Sequence, residues 1–419
     1  MQNPETPANK VPIGRLALLL GGLAMFGPFS IDTIFPAFPQ MGGDFAADKL
    51  AMQQTISVYL LAYAAMSIVH GPLSDAIGRR KVILGGLVVF TLASVGCALS
   101  RDLTTLLLFR ALQGLSAGVG LIVGRAVIRD VLHGDDAQRL MSQVSMIFGV
   151  APAIAPIIGG WILGWERWPA IFWFLVAFSL LLLVATWWKL PETHPPEARL
   201  SLAPKRLLRD YFAIFLNGRF QRLAAAGTFN FGALWLYIAS APAFVIDILH
   251  LNERQFGWFF VPMISGMMLG AFVSGRSAGR IGGTRLANIG FACCGVAAVV
   301  NIVYNLVATP SVPWAVLPMM LGSFGIALVF PILTLAILDM YPRQRGSASS
   351  LQAFTSLVSN ALIAGLLSPW LSHHALHLAL GSAAFVLLGW LFWNWEARVG
   401  LHVPDCSRDA VALEPTERL

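Results

Sequence analysis

GPLSDAIGRRK, residues 71–81, is a short polar turn between two long apolar runs. It carries one acid, Asp75, and three bases, Arg79, Arg80 and Lys81, framed by Gly71 and Gly78. A second turn, GRSAGRIGG at 275–283, has the same frame: a glycine, another glycine seven positions on, and Ile just before the second. Gly275 lies about half the chain beyond Gly71. A chain built from two similar halves explains the spacing, and such repeats are common in secondary transporters.

The apolar runs around these turns set the fold class. A helix needs about 20 apolar residues to cross a bilayer. Cut at charge clusters and Pro/Gly turns, the chain gives twelve such segments, near 14–38, 51–73, 82–100, 103–127, 141–164, 169–189, 222–247, 254–275, 286–308, 313–338, 347–372 and 374–396. The runs are continuous and do not alternate, which predicts helices and not a β-barrel. Composition agrees: 57% of the 419 residues are hydrophobic, 12% are charged, and the mean hydropathy is +0.71. A soluble domain carries roughly 25% charged residues. No cleaved leader is expected, because the first apolar run is too long and ends in Pro-rich sequence without a small-residue cleavage pattern. The expected fold is an all-α integral membrane protein of twelve transmembrane helices in two pseudo-symmetric six-helix bundles.

Orientation follows from the bases. Of 28 Lys and Arg, 23 fall at one set of helix ends, Lys49, Arg101, Arg167 and Arg254 fall at the other, and Arg110 lies inside a span. The rich set runs from Lys10 through the tail, including Arg139, Arg343, Arg408 and Arg418. That side is the expected cytoplasmic one, with both termini on it. The net charge of +7 is therefore topological, and nucleic acid is not an expected partner. The longest connection divides the spans six and six. The expected domains are an N-terminal bundle 1–189, a cytoplasmic linker 190–221, a C-terminal bundle 222–400 and a cytoplasmic tail 401–419. The linker holds KRLLRDYFAIFLNGRF, 205–220, a basic amphipathic stretch fit to lie along the membrane surface.

Inside the first span, FGPFSIDTIFPAFPQM at 26–41 places Asp32 at bilayer depth. A charge there costs about 2.5–3.5 kcal/mol on insertion scales, so an intramembrane acid is a functional candidate by default. It escapes the cost by taking up a proton. Gly27, Pro28, Pro36 and Pro39 loosen the helix around it. Asp32 is thus the expected proton site, and the alternative is a structural carboxylate paired with Arg110 or a hydroxyl. Arg110, with Gln113 one turn on, is expected to tune Asp32 or to hold an anionic or carbonyl group; the alternative is snorkelling to the outer interface. Gly114/Gly118 and Gly120/Gly124 read as close helix packing.

Several motifs in order carry a family resemblance. GPLSDAIGRRK resembles the loop signature of the major facilitator superfamily, Gly-x-Leu-x-Asp-x-x-Gly-Arg-Arg/Lys. FRALQGLSAGVGLIVGRAVIRD, 109–130, resembles the Arg-x-x-Gln-Gly signature of its fourth helix. FGVAPAIAPIIGGWIL, 148–163, is similar to the helix-5 antiporter signature, with Ala155-Pro156 where Gly-Pro is usual, then Gly159-Gly160. IDTIFPAFP (31–39), APAFVIDILHL (241–251) and RGSASSLQAF (345–354) resemble the bicyclomycin/chloramphenicol-resistance branch of drug:proton antiporters.

That resemblance implies a proton-coupled multidrug efflux antiporter of the bacterial inner (cytoplasmic) membrane, working by alternating access as a monomer. It implies a latch of Asp75, Arg79 and Arg80, near Gly71 and Gly78, with the start of helix 11 at Gly346-Ser347-Ala348 in the outward-open form, where a basic turn that only sets topology is the rival. Gly279 replaces the acid in the second copy. It implies an outer seal at the Ala155, Pro156, Gly159 and Gly160 stripe, where plain packing is the rival.

The expected pocket walls are Phe29, Phe35, Tyr59, Tyr63, Phe229, Asn230, Trp235, Tyr237, Gln352 and Asn360, beside Asp32, Arg110 and Gln113. For each aromatic alone, core or lipid packing competes with substrate contact; Asn230, an amide at midspan, stands out. Asp247, near His250, reads as solvated. Protons are the expected coupling ion, with no cofactor and no metal. Cys97, Cys293, Cys294 and Cys406 lack metal spacing, and His373/His374/His377 is a cluster without a carboxylate. An embedded enzyme is not expected, because no nucleophile–base set is present, and a channel fits a two-half chain with one buried acid poorly. A proton-coupled exporter of an amino acid, dipeptide or sugar is the open alternative.

Overall fold

The computed structural model describes residues 13–132, 134–199, 204–277, 280–341 and 344–400. Lys10, His133, Gly279, Arg343, His402, Cys406, Arg408, Arg418 and the expected tail 401–419 lie outside the described residues, as do linker residues 200–203.

The described chain is helical throughout, without a strand. In order, α1 is Ile13–Asp32, α2 Lys49–Ile77, α3 Arg79–Ala98, α4 Leu103–Val131, α5 Gly134–Leu163 and α6 Pro169–Lys189. The second set is α7 Gly218–Ala239, α8 Gly257–Ser277, α9 Gly283–Val307, α10 Leu317–Met340, α11 Gly346–Leu371 and α12 Ala375–Gly400. Ten of the described helices are long and apolar enough to cross a membrane. α5 and α7 occupy the remaining two places in the order but carry more polar ends: Arg219 and Arg222 open α7.

Local chemistry sets the helix starts. Asp48 caps α2 by accepting from Ala51 N at 2.8 Å, and Asn217 caps α7 from Arg219 N at 2.9 Å. Asp102 caps α4 in the outer loop; bonds from the Thr105 amide and hydroxyl hold its carboxyl below the usual range. Between α6 and α7, a helix forms over Pro204–Phe215. It buries Tyr211 and Ile214 and exposes Leu208 and Phe212, the two-faced pattern expected of a surface helix. Its Tyr211 hydroxyl donates to Ile68 O of α2 at 3.0 Å.

Outward-facing Leu18, Leu92, Trp187, Phe272 and Val307 are exposed, as lipid-facing side chains must be. The packed core has an uneven shape. One cluster runs through the N-terminal half and on through Tyr237, Phe244, Phe259 and Phe260 of the C-terminal half. A separate cluster around Phe220, Phe291, Leu333 and Trp393 fills the inner end of the C-terminal half.

The halves are joined at their outer ends. Gln53 Nε2 donates to Ala239 O at 2.8 Å, Gln54 Nε2 to Gly365 O at 3.0 Å, and Ser57 Oγ to Ala361 O at 2.9 Å. Lys49 Nζ pairs with Asp247 Oδ2 at 2.6 Å, and Asp247 is exposed, as the sequence reads it. On the inner side, a side chain added at Gly71, Gly275 or Gly346 would meet nothing within 4 Å. The bonds between the halves thus gather at the Lys49–Asp247 end, while these three glycines at the opposite end face open space.

Candidate functional site: a buried acid and a buried arginine

α1 stops at Asp32, and a tight turn at Phe35–Ala37 follows before the chain turns helical again. Pro36 removes an amide donor there, and Thr33 folds its hydroxyl back onto Phe29 O at 2.6 Å. α5 presses against the break: a Cβ on Gly159 would fall on Thr33 O. The break therefore sits in a protein-packed place, where irregular backbone is tolerated at membrane depth. Asp32 is 3% exposed, and its carboxylate makes no hydrogen bond or ion pair with a described residue.

Arg110 is fully buried on α4. Its NH1 donates to Ser30 O (3.0 Å), Ser30 Oγ (3.1 Å) and Gln113 Oε1 (2.7 Å), and its Nε to Thr55 O (3.2 Å). Its guanidinium lies over the Tyr59 ring at 4.4 Å, a cation–π contact, while NH2 has no acceptor. Gln113 passes the network on, donating to Ser94 Oγ at 2.8 Å. Arg110 thus rivets α1, α2 and α4 around the acid. It neither snorkels outward nor pairs with Asp32; the ring of Tyr59 lies within electrostatic reach of both. Close approach of the three helices depends on glycine: a Cβ at Gly114 would strike Tyr59 O, and one at Gly120 would strike Leu23 O.

The expected pocket walls separate into groups. Tyr59 and Tyr63 pack edge to face at 6.5 Å beside Arg110. Phe29 stacks on Phe178 at 5.2 Å, inside the N-terminal bundle. Phe35 stacks on Phe260 at 6.2 Å, within the outer seal. Phe229 stacks on Phe392 of α12 at 5.7 Å, and the Tyr237 hydroxyl accepts from Asn301 of α9 at 2.7 Å. Each of these four side chains thus packs on, or bonds to, another aromatic or polar side chain in this conformation. Trp235 donates to Asn360 O at 2.9 Å and Gln352 to Thr334 Oγ1 at 3.2 Å, both within the C-terminal half. Asn230 and Asn360 each keep a buried amide oxygen with no partner. Such an oxygen is costly to leave bare, so both remain open acceptors at midspan.

At the inner end, Gly78 has φ +106, a conformation that favours glycine, and Glu192 fills the space where its side chain would go. Arg79 is the hub. It pairs with Asp75 and with Asp130 at 3.0 Å, donates to Ser74 Oγ at 2.6 Å, and its amide donates to Glu192 Oε1 at 2.9 Å. Arg80 donates to Trp187 O at 2.6 Å. Asp75 is thus engaged within its own half, away from the start of α11. Asp130 and Glu192 are members that the sequence reading missed; an acid closing the basic RAVIRD run was their one visible signal. Gln53, Ser57, Ser30 and the Lys49–Asp247 pair were missed as well.

At the outer end, Ala155 and Pro156 are buried and Gly160 lies under the Glu253 carbonyl of the other half, too close for any Cβ. Gly160→Ala is expected to wedge this seam and disfavour the outer-closed form. Overpacking of that kind costs about 1–3 kcal/mol. Spin labels at Leu50 and His250 should report a shift to longer distances; an unchanged distribution would show that the seam gives elsewhere.

Two helical bundles that meet at the Lys49–Asp247 end and enclose Asp32, an acid with no bonding partner among the described residues, at a broken helix have the build of a membrane carrier. The chain belongs to the Major Facilitator Superfamily, whose family model matches residues 18–364. It is 30% identical to the uncharacterized MFS-type transporter YdgK of Bacillus subtilis, over 84% of this chain and 88% of that one. It is 27% identical to multidrug resistance protein D of Escherichia coli, over 84% and 88%. It is also 27% identical to the chloramphenicol resistance protein CraA of Acinetobacter baumannii, over 96% of each. These are relatives of the kind to which the motif resemblance pointed. The chain is a multi-pass bacterial membrane transporter of small molecules.

Proposed function

We propose that the protein exports small amphiphilic or cationic compounds, several antibiotics among them, in exchange for protons across the bacterial inner membrane, with both termini in the cytoplasm. The observation that carries this reading is the buried Asp32 without a partner, in a chain whose relatives bear drug-resistance names. Open to the inside, Asp32 gives its proton to the cytoplasm, and the bare carboxylate draws in a cation or a hydrogen-bond donor. Loaded, the halves rock and open outward. A proton from outside then neutralises the acid and frees the cargo, and the protonated carrier returns. Arg110 keeps α1, α2 and α4 in register while the acid changes charge.

Of the two acids buried among the described residues, Glu396 is paired with Arg219 and Arg222 and Asp32 has no partner, which implies one proton per cycle. Each charge moved is worth about 2.3 kcal/mol per 100 mV. A monovalent cation exchanged for one proton moves no net charge and is driven by the pH gradient alone; a neutral drug also uses the potential. The protein acts as a monomer, since each chain encloses its own acid and both halves.

The test is transport in everted vesicles holding a pH gradient. Chloramphenicol or tetraphenylphosphonium, added to vesicles with the protein, is expected to discharge part of the gradient and to accumulate in the lumen. If only amino acids, dipeptides or sugars do so, the protein is a metabolite exporter.

A further inference from the structure

A cavity of about 560 Å³ lies at the end of the molecule where Lys49 and Asp247 join the halves. Its walls are shared: Phe38, Met52 and the start of α2 come from one half, and Ile246, Asp247 and the end of α11 from the other. The volume falls in the range of small-molecule pockets, which are mostly apolar with a few placed polar groups. Here the placed groups are charged. Asp48 and Asp247 stand against one ammonium, Lys49, whose bond to Asp247 joins the halves at the rim at 2.6 Å. The Asp48 carboxylate is engaged only with the Ala51 amide at 2.8 Å, so the cavity has one carboxylate more than it has cations. An apolar chamber with an excess negative charge takes an amphiphilic cation.

Because both halves wall it, the chamber has this shape only while the outer ends are together. A ligand that binds one of two conformations shifts the population toward it. We propose that the outer vestibule is a second binding site, for amphiphilic cations arriving from outside, and that its occupancy holds the outer gate shut and slows export. That the occupant is the exported compound itself rests on the export reading above; the site does not. The exporter is then restrained by what it has already delivered.

Gly43 supplies a clean probe, since a side chain there would meet nothing within 4 Å and would project at the cavity wall. The test measures equilibrium binding of tetraphenylphosphonium to the full-length protein in nanodiscs. Asp32→Asn is expected to keep binding, whereas Asp32→Asn with Gly43→Phe is expected to lose it by at least about tenfold, a difference of about 1.4 kcal/mol. Asp247→Asn on the same background is expected to weaken it in the same direction. Absence of binding to Asp32→Asn, or binding unmoved by both vestibule changes, overturns the site. In everted vesicles, cation preloaded in the lumen should slow initial export by the wild type and not by Gly43→Phe; equal slowing in both overturns the feedback. A protein that moves neither tetraphenylphosphonium nor chloramphenicol refutes the export reading, while the nanodisc measurement still decides the vestibule.

Discussion

Asp32→Asn is expected to abolish proton-driven export while leaving the folded protein intact. The amide has the shape of the carboxylate but neither gains nor loses a proton. No described residue bonds to the Asp32 carboxylate, so the substitution breaks no ion pair and strands no donor. A neutral amide is also the less costly group at 3% exposure in a low-dielectric bundle. The melting temperature should therefore hold or rise. Transport should fall to background in everted vesicles driven by a pH gradient. The second expected signature is in binding: cargo affinity of the wild type falls as the pH falls, and affinity of Asp32→Asn stays flat. Undiminished gradient-driven transport by Asp32→Asn would remove this acid from the coupling step. Asp32→Glu keeps the chemistry with a longer arm at a packed helix break, so a reduced rate with retained pH dependence is expected.

Why the acid was legible and its surroundings were not comes down to what side-chain identity records. A carboxylate in an apolar run is visible because it is expensive there. Two of the four acceptors of Arg110 are Ser30 O and Thr55 O, and a backbone carbonyl leaves no mark in a sequence. The position of Arg110 was readable; its role as a rivet was not. The spans were readable for the same reason as the acid, as continuous apolar runs. Which face of each span looks inward was less so, because lipid and core are both apolar and the usual amphipathic stripe fades. Phe29 and Phe229 were therefore grouped with the pocket walls, and only the rings of Phe178 and Phe392 reveal their packing. The Lys49–Asp247 pair was hidden differently: two exposed charges 198 positions apart meet only once the halves are docked.

The two ends of the molecule show how the gates oppose each other. The outer seam depends on close backbone approach at Gly160, joined by one ion pair and four side-chain bonds onto carbonyls. The exposed pair contributes little by itself, about 0–1 kcal/mol. The inner charges of Asp75, Arg79 and Asp130 are meanwhile gathered within one half. Parting the halves at the Lys49–Asp247 end requires the seam contacts to be given up. Interfaces that exchange one set of contacts for another are bistable, and alternating access needs that property.

Arg110→Met is expected to cost both stability and transport. Methionine fills much of the same volume without a donor. It leaves Gln113 Oε1, Ser30 Oγ and two carbonyls without the guanidinium that now reaches them at 2.7–3.2 Å. A stranded buried acceptor costs about 1–3 kcal/mol. Removing a buried charge returns part of that, since its desolvation penalty disappears too. The net expectation is a loss of about 2 kcal/mol, seen as a lower melting temperature in detergent, because several buried acceptors lose a charged donor, with Gln113 Oε1 keeping only the weak Cys97 thiol at 3.6 Å, against one charge relieved. Transport is expected to fall further than stability does, since α1, α2 and α4 lose their common fastening next to Asp32. Arg110→Lys separates charge from geometry: its single ammonium cannot span Thr55, Ser30 and Gln113 together. Lysine restoring transport would mean that the positive charge alone matters to Asp32. Lysine failing as methionine does, with Asp32 still binding cargo in a pH-dependent way, would mean that the planar fork acts by positioning the helices around the acid.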